Sequence, residues 1–316
     1  MRQPWFLSVG LLLGLLLLGC AEKPQDSMRV SAVLWPGYEP LYLAGKLGYF
    51  DDEPVQIIDY LSNTDAMLAF RNHNLEAGAF TFDEVLQLLA DGMDIDVVLV
   101  MDVSDGGDVI LANPDLAAMA DLRGKRVAVE SSAVGGYVLA RALELHGLGL
   151  DDITVVSTNA MEQQDAFQSG RVDAAVSFDP YRTQLLKMGK REIFNSREIP
   201  SEIVDVLVVR RDYSRQHPQT VQKLVDAWFR ALSYQQQHPR DSAAFSVNRF
   251  DTTVDDYLAG LALIRFASIE ENRLLLDPAR SSLIANADKF FRVLARMNIE
   301  QRDVVVGPQL NPGYLP

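Results

Sequence analysis

The fold is indicated most directly by residues 29–50, RVSAVLWPGYEPLYLAGKLGYF. This stretch begins with RVSAVL, which is typical of a buried strand, and it continues into PLYLAGKLGYF, which has the period of a helix. Between the two lies a turn, WPGYEP, that carries Trp35, Tyr38 and Glu39. A core would use smaller residues, and a plain turn would not use a tryptophan. The turn therefore predicts a binding surface at the carboxyl end of a strand.

The same alternation of strand and helix continues along the chain. Apolar runs such as VQIIDYL, EAGAFTF, RVAVES and DAAVSF are each followed by a segment with helical period. Strands separated by helices of about ten residues are typical of parallel sheets with helices on their faces. From residue 216 to residue 298 the pattern is almost wholly helical. The sequence thus predicts an α/β protein with extra C-terminal helices.

An internal repeat indicates two lobes of like topology. One copy runs from AF (69–70) through EA (76–77) to TFD (81–83); the other runs from AF (166–167) through DA (173–174) to SFD (177–179). Chain order then assigns residues 29–104 plus 206–316 to the first lobe and residues 105–205 to the second. The predicted crossings between the lobes are DVSDGGD (102–108) and EIVDV (202–206). Ligands of such open α/β sheets bind outside the carboxyl ends of strands, where the turns into the helices lie.

The N-terminus has the layout of a bacterial targeting segment. Residues 1–19 contain an apolar stretch that is short for a membrane span, and they read as a signal peptide. The sequence Leu17-Leu18-Gly19-Cys20 resembles a lipobox, so we expect Cys20 to be lipidated and residues 20–28 to form a polar tether. The alternative is an ordinary signal peptide with a chance cysteine. The expected location is the periplasm, with a lipid anchor in a bacterial membrane.

Composition excludes several classes of function. Without its signal the chain carries 28 Lys and Arg against 43 Asp and Glu, a formal net charge of −15, which disfavours nucleic acid and anionic lipid surfaces as partners. Cys20 is the single cysteine, so the mature chain has no disulfide and no catalytic thiol after that position. The four histidines lack metal-ligand spacing, and DGGD at 105–108 does not match a calcium loop. We expect neither a metal nor a cofactor.

Seven segments in order resemble the nitrate/sulfonate/taurine/thiamine-precursor family of ABC-transporter substrate-binding proteins. They are WPGYEPLYLA with LGYF, FRNHNLEAGA, DVSDGGD, LRGKRVAVES, GRVDAAV and EIVDVLVVR. The resemblance runs from about Val30 to Pro239. It implies a type II periplasmic-binding-protein fold with two lobes, two crossovers and hinge closure on a small polar solute. It also implies that the closed form docks on a permease, and we expect a monomer.

The first candidate binding residues come from the strand-end turns. Trp35, Tyr38 and Glu39 would form an aromatic wall and a carboxylate over the ligand, or they would simply pack beneath the next helix. Ser131 or Ser132 is a natural cap for the helix at GGYVLARAL, and its glycines would let a ligand reach free backbone N–H groups. In the sulfonate and nitrate binders that this sequence resembles, the matching helix start receives the oxyanion.

Acidic residues at the predicted strand ends and crossings point to a different ligand. No Lys or Arg occurs at those turns, and an oxyanion among ionised carboxylates would be repelled by about 1 kcal/mol or more per charge at 4 Å. A cation or an N–H-rich ring fits such acceptors better, and Trp35 offers a cation–π face. The repeat favours Asp83 and Asp179 most, at equivalent positions facing each other across the cleft. The full set of acidic candidates is Glu39, Asp83, Asp105, Asp108, Glu130, Asp179 and Asp205, with Tyr181 beside Asp179. Many of them could equally be turn residues, helix caps or solvated groups.

The predicted function is a solute-binding lipoprotein that delivers a small nitrogenous solute to an ABC permease. That solute would be cationic, zwitterionic or an N–H-rich heterocycle. Two alternatives stay open: a ligand of the sulfonate or nitrate type, and a periplasmic sensor that reports its ligand to a membrane signalling protein. The branch of the superfamily that makes a thiamine pyrimidine uses a Cys-rich motif and an active-site His. This chain has no cysteine after Cys20, so an enzyme of that kind is not expected.

Overall fold

The computed structural model describes residues 27–50, 53–296 and 304–316. The predicted signal peptide, Cys20 and most of the predicted tether lie outside the described residues. Within the described part, no helix is long and apolar enough to cross a bilayer.

Two sheets with helices on their faces make up the described chain. The strands are β1 (Met28–Ala32), β2 (Val55–Asp59), β3 (Ala77–Thr81), β4 (Ile95–Ser104), β5 (Val109–Ala112), β6 (Arg126–Val129), β7 (Thr154–Ser157), β8 (Ala174–Ser177), β9 (Arg191–Asn195), β10 (Val204–Arg210) and β11 (Ile264–Phe266). The helices are α1 (Glu39–Lys46), α2 (Asn63–Arg71), α3 (Phe82–Ala90), α4 (Val134–Leu145), α5 (Gln163–Gln168), α6 (Tyr181–Lys187), α7 (Arg211–Gln216), α8 (Pro218–Gln237), α9 (Pro239–Phe250), α10 (Val254–Leu261), α11 (Ile269–Leu275) and α12 (Ser282–Arg296).

Five strands have an equivalent order in the two sheets, and the first sheet has β11 as an additional edge strand. The first sheet has the order β2-β1-β3-β10-β4-β11 and the second has the order β7-β6-β8-β5-β9. In each sheet the strand that arrives directly from the other sheet, β10 or β5, lies antiparallel in the fourth position. The chain crosses between the sheets from β4 to β5 and returns from β9 to β10. This topology confirms the predicted two-lobed fold with two crossovers, while the lobe limits 29–104 with 206–316 and 105–205 stay a prediction.

The sequence repeat corresponds to a strand clasp that each lobe contains. Arg29 is the second residue of β1, and it donates from Nη2 to Glu76 Oε1, just before β3, at 2.7 Å. Arg126 begins β6 and donates from Nη2 to Asp173 Oδ1, just before β8, at 2.8 Å. Each Arg also donates its backbone N–H to the same carboxylate. The clasp fixes the parallel register in which Val30 pairs with Ala77 and Val127 with Ala174.

The C-terminal region returns to the first sheet. Helices α8 and α9 pack on α1, and α10 packs on α9 and on the turn that precedes α1. The region is almost wholly helical, as predicted, apart from β11, which adds an edge strand to β4 through the pair Ile264 and Ser104. Strand β4 is buried along its whole length, and this burial includes the carboxylates of Asp96 and Asp102.

Candidate functional site

A small pocket lies between the two sheets, at the carboxyl ends of β1 and β3. The room inside it for a water-sized sphere is about 20 Å³, enough for about one water molecule and far below the volumes typical of small-molecule sites. The first lobe, the first crossing and the second lobe all contribute to its wall. The residues that line it are Val33, Trp35, Tyr38, Asn63, Thr81, Asp108, Val134, Phe178 and Asp205.

Trp35 is held in the pocket wall by contacts on three sides. Its Nε1 donates to Asp102 Oδ1 at 3.4 Å, and its ring meets Phe178 of the second lobe edge to face with centroids 6.0 Å apart. On the third side the first crossing passes so closely that a Cβ added at Gly107 would lie 2.6 Å from Trp35 Cη2. The indole therefore touches both lobes and the crossing that joins them, as a group that senses closure must.

A buried pair of carboxyl groups supports the base of the pocket. Tyr38 donates from Oη to Asp205 Oδ1 at 2.6 Å, and Asp205 is the cross-strand neighbour of Asp102 in the register of β10 and β4. Burial raises the pKa of Asp102 to about 7. Burial, followed by the charge of Asp102, raises the pKa of Asp205 well above its ordinary value. Two adjacent buried carboxyls with raised pKa values titrate as a pair that retains a proton near neutral pH.

Asp108 adds a third acid to the same pocket. It ends the first crossing, it is buried, and burial raises its pKa to about 6. Its backbone N–H donates to Ser104 Oγ at 3.1 Å, which fixes the residue at the start of β5. Among the residues that line the pocket there is no Lys and no Arg. The pocket therefore offers acceptors and aromatic faces to a ligand, and it lacks a cationic side chain.

Two carboxyl groups reach across the cleft to helix starts in the opposite lobe. Glu84 of α3 accepts from the backbone N–H of Val134, the first residue of α4, at 3.2 Å. In the reverse direction, Glu130 accepts from the backbone N–H and the hydroxyl of Thr64, near the start of α2, at 2.8 and 2.5 Å. We name this exchange the carboxylate swap. It joins the lobes at two points beside the pocket.

The predicted cap of α4 is replaced by this contact. The helix begins after Ala133 and has no side-chain cap, so neither Ser131 nor Ser132 fills the role that the sequence suggested. Both serines are exposed, and Ser132 Oγ instead bonds Thr64 Oγ1 at 2.7 Å. The physical reason is that the Glu84 carboxyl already satisfies the first N–H of the helix.

Four other predicted residues lie outside the pocket lining. Glu39 faces α9, where it accepts from Ser246 Oγ at 2.6 Å, and burial raises its pKa to about 7. Asp105 is exposed and paired with Arg197. Asp179 accepts from the backbone N–H of Thr183 at 3.0 Å within α6, and Tyr181 is half-buried with its ring against Phe178.

The expected pairing of Asp83 with Asp179 is absent from the described contacts. Asp83 is buried at the start of α3, and burial raises its pKa to about 7. It lines a second cavity with Ser131 and Tyr137 rather than the pocket with Trp35. Asp179 abuts α10, where its Oδ2 would lie 2.9 Å from a Cβ added at Gly260. The repeat places the two acids at equivalent sequence positions, but Asp83 lines the second cavity and Asp179 packs against α10.

The family model of the NMT1/THI5-like proteins matches residues 35–242, about two thirds of the chain. The chain belongs to this family. The predicted resemblance to substrate-binding proteins of ABC transporters is thereby confirmed.

Two curated relatives match the chain over most of its length. A "Putative aliphatic sulfonates-binding protein" of Bacillus subtilis is 24% identical over 244 residues, which cover 72% of this chain and 73% of that protein. The taurine-binding periplasmic protein of Escherichia coli is 23% identical over 202 residues, which cover 62% of this chain and 63% of that protein. Both are named for binding, and neither is named as an enzyme.

Solved structures share the fold. The alkanesulfonate-binding protein SsuA from Xanthomonas axonopodis pv. citri, bound to MOPS, has a TM-score of 0.77 at 18% identity and covers 91% of this chain and 98% of its own. The desulfurization enzyme DSZB has a TM-score of 0.66 at 19% identity and covers 92% of this chain and 98% of its own. At such identities the likeness shows the fold alone, and this fold carries an enzyme as well as binders.

Several residues of the site were missed by the sequence reasoning. Asp102 and Glu84 are the chief cases, and Asn63 and Phe178 of the pocket lining were missed as well. Asp102 could have been found, because an acid inside the apolar run VVLVMDVS must be buried, and a buried carboxyl costs free energy unless it has a hydrogen-bond partner or binds a ligand. Glu84 gives no such signal, since Glu is common in the first turn of a helix. Within the described residues, no group of three or more His, Cys, Asp or Glu is arranged to hold a metal ion.

Proposed function

We propose that this chain is the solute-binding component of an ABC importer and that it captures a small solute in the pocket between its lobes. Membership of the family and the periplasmic-binding-protein fold support this function. The placement of the pocket supports it too, since Trp35 touches Phe178 of the opposite lobe. A solute bound there would bridge the lobes and stabilise the closed form that a permease recognises.

The ligand that the geometry supports best carries a cationic or N–H-rich group. The observation behind this choice is that Asp108 and Asp205 line a buried pocket that has no Lys or Arg in its lining. Asp205 accepts from Tyr38, and Ser104 bonds Asp108, but neither carboxyl has a cationic partner in the lining. A buried carboxylate without such a partner is costly when ionised, and an ammonium or amidinium group would reduce the cost through charge-assisted hydrogen bonds. Trp35 would add a cation–π face, which is worth about 0.5 to 2 kcal/mol.

The relatives favour a second candidate, an oxyanion such as a sulfonate. Both curated relatives are named for sulfonates or taurine, and the SsuA structure holds MOPS. On the comparisons alone, this alternative has more support than a nitrogenous solute. Taurine and MOPS each carry a nitrogen as well as a sulfonate, so a zwitterion would combine the two candidates.

Three small probes separate these candidates. Ethanolamine carries the cation alone, ethanesulfonate carries the oxyanion alone, and taurine carries both on a two-carbon chain. A ligand at a hundredfold excess over its Kd adds about 2.7 kcal/mol to the free energy of unfolding. Thermal unfolding of the full-length chain in detergent, with each probe at 10 mM and with a wider set of amines and amidines, measures the preference.

Each outcome assigns a ligand class. Stabilisation by ethanolamine or by other cations, without ethanesulfonate, supports the proposal. Stabilisation by ethanesulfonate gives the site to the oxyanion class, and stabilisation by taurine alone gives it to zwitterions. No stabilisation by any member of either class would show that the ligand assignment is wrong.

A periplasmic location with a lipid anchor at Cys20 belongs to the same proposal. The E. coli relative is named a periplasmic protein, which supports the compartment. Mass spectrometry of the mature N-terminus tests the anchor: we expect a diacylglyceryl-modified Cys20 in the wild type and an unmodified, soluble product from Cys20→Ala. An unmodified wild-type cysteine would contradict the anchor.

A further inference from the structure

We infer that the buried carboxyl of Glu84 occupies the donors at the start of α4 and that it bars solute oxyanions from this corner of the pocket. The inference rests on the proposed function and deepens it, because it names a residue that determines the ligand class. Glu84 does not line the pocket itself. It lies directly behind two residues that do, Asn63 and Val134.

The contacts of Glu84 are those that a bound oxyanion would make. Its Oε1 accepts from Asn63 Nδ2 at 2.8 Å and from the backbone N–H of Val134 at 3.2 Å. Its Oε2 accepts from the backbone N–H of Thr81 at 3.1 Å. The side chain is fully buried, so no water competes for these donors. A helix start and a side-chain amide converge here on one carboxyl, and the Thr81 bond is part of the capping box of α3. Burial, followed by the charge of Asp83, raises the pKa of Glu84 well above its ordinary value, so near neutral pH it holds these donors as a neutral carboxyl.

The occupant arrives from the opposite lobe. Glu84 belongs to α3 beside the first sheet, whereas α4 follows β6 of the second sheet. The chain thus inserts its own acidic group where an incoming sulfonate would have to sit. A second oxyanion could reach these donors only by displacing a carboxyl that is already satisfied by three of them, and it would then face the buried acids of the pocket.

The glycines of α4 do not leave an open approach for a ligand either. A Cβ added at Gly136 would lie 2.5 Å from the carbonyl oxygen of Ser131, so this glycine lets the preceding loop pass over the helix. Gly135 is similarly covered, with Val129 Cγ2 at 3.1 Å and the Glu130 carbonyl oxygen at 3.3 Å from an added Cβ. Loop backbone, rather than empty space, faces the start of the helix.

Glu130 provides a matched control within the same molecule. It is the other member of the carboxylate swap, and it also caps a helix start in the opposite lobe. Its acceptor site involves Thr64, which does not line the pocket, and its side chain is partly exposed. Loss of Glu130 should therefore loosen the contact between the lobes without opening an oxyanion position next to the ligand.

The test compares the full-length wild-type chain with Glu84→Ala, Glu84→Asp and Glu130→Ala. Titration calorimetry measures the Kd of each protein for ethanesulfonate and for ethanolamine. Glu84→Ala frees the Val134 N–H and the Asn63 amide together. Glu84→Asp keeps a carboxyl near Thr81, but its side chain is one methylene too short to reach the Val134 N–H. It replaces Glu84→Ala in the test if the alanine variant does not fold.

We expect ethanesulfonate to bind Glu84→Ala or Glu84→Asp at least tenfold more tightly than it binds the wild type, while Glu130→Ala shows no gain. Unchanged or weaker ethanesulfonate binding in both Glu84 variants would overturn the inference. An equal gain in Glu130→Ala would overturn it as well, because the effect would then come from looser lobes. Ethanolamine binding to the wild type reports on the proposed function separately, so either idea can fail alone.

Discussion

At the scale of single residues, Asp108 is a group whose burial destabilises the ligand-free protein and whose charge would stabilise a bound cation. Its carboxyl is buried and burial raises its pKa to about 6, so near neutral pH the empty protein holds a charge in a poorly solvated place. A cation in the pocket would relieve this cost. The residue should therefore matter to binding and to stability in opposite directions.

Asp108→Asn tests that opposition. We expect the Kd for a cationic ligand to rise at least tenfold, which corresponds to about 1.4 kcal/mol, because one ionic acceptor is lost. We expect the ligand-free protein to be as stable as the wild type or more stable at pH 7.5, because the buried charge is gone. Calorimetric titration and urea unfolding measure the two effects.

Asp105→Asn is the matched control for this change. Asp105 lies three residues earlier in the same crossing, but it is exposed and paired with Arg197. Its substitution should leave both quantities nearly unchanged, since exposed ion pairs contribute little. Equal effects of the two substitutions would mean that the net charge of the crossing matters and that the pocket acid does not.

Residue type and strand-end position were enough to predict part of the site. Trp35, Tyr38, Asp108 and Asp205 do meet in one pocket. The first three follow β1 or β4 at its carboxyl end, and Asp205 lies near the start of β10, whose antiparallel direction brings its amino end to the same edge. Glu39 is one position beyond Tyr38, and in a helix that step turns its side chain about 100° away, toward α9. Such a difference of orientation depends on how the helix docks, which local sequence does not encode.

At the scale of elements, the start of α4 joins a loop, a helix and a carboxyl from the other lobe. The Ser131 carbonyl oxygen lies where a side chain at Gly136 would begin, so the helix and the loop that precedes it can approach only because this residue is glycine. Gly135 is tight but less obstructed. The two glycines of α4 therefore differ in how little space each leaves for a side chain, and Gly136 leaves less than Gly135.

Alanine substitution at the two positions should give different results. Gly136→Ala must displace loop backbone, and we expect it to lower the free energy of unfolding by about 1 to 3 kcal/mol. Gly135→Ala brings its Cβ to 3.1 Å from Val129 Cγ2 and 3.3 Å from the Glu130 carbonyl oxygen, contacts that a shift of a few tenths of an ångström relieves. It also gains helix propensity, so its effect should lie within about 1 kcal/mol of zero. Urea unfolding of both variants measures this, and an equal loss in the two would contradict the packing at Ser131.

Most elements could be predicted from hydrophobic period, and the two missed strands show the limit of that signal. Strand β9, REIFN, is an edge strand that starts with two charged residues and ends with a polar one, and β11 has only three residues inside a helical region. Both are strands because a neighbour offers free backbone groups: β5 for the one and β4 for the other. Pairing with a distant partner creates these elements, so their own residues carry little sign of them.

At the scale of the whole molecule, the buried acids make stability depend on pH in a defined direction. The pKa is raised to about 7 for Asp83 and Asp102 and to about 6 for Asp108, against 3.8 in the unfolded chain. The stability from these protons is complete below about pH 3.8 and is lost as the pH rises through 6 to 7. Glu202 acts oppositely, since burial is outweighed by bonds from Arg141, Lys289 and Tyr137 that lower its pKa to about 2; its contribution is present above pH 4.5 and is lost as the pH falls.

The ligand-free protein should therefore be most stable near pH 5. We expect the free energy of unfolding to fall between pH 5 and pH 7.5, and we expect the double substitution Asp102→Asn with Asp108→Asn to reduce that fall. Urea unfolding at both pH values measures the effect in the two proteins. A wild type that is more stable at pH 7.5 than at pH 5 would contradict the burial of these acids.

Lobe closure, ligand charge and protonation are coupled through the same acids, and the coupling distinguishes the two ligand classes. A cation binds the ionised carboxylates, so binding should release protons and affinity should rise as the pH rises from 5.5 to 7.5. An oxyanion would need the carboxyls to stay neutral, so its binding should take up protons and its affinity should fall over the same range. Titration calorimetry in two buffers of different ionisation enthalpy counts the protons directly. For a cationic ligand we expect a net release of protons near pH 6.5, which should be smaller in Asp108→Asn and unchanged in Asp105→Asn. Proton uptake by the wild type would instead assign the pocket to oxyanions, because the acids around Trp35 would then have to be protonated before a ligand could enter.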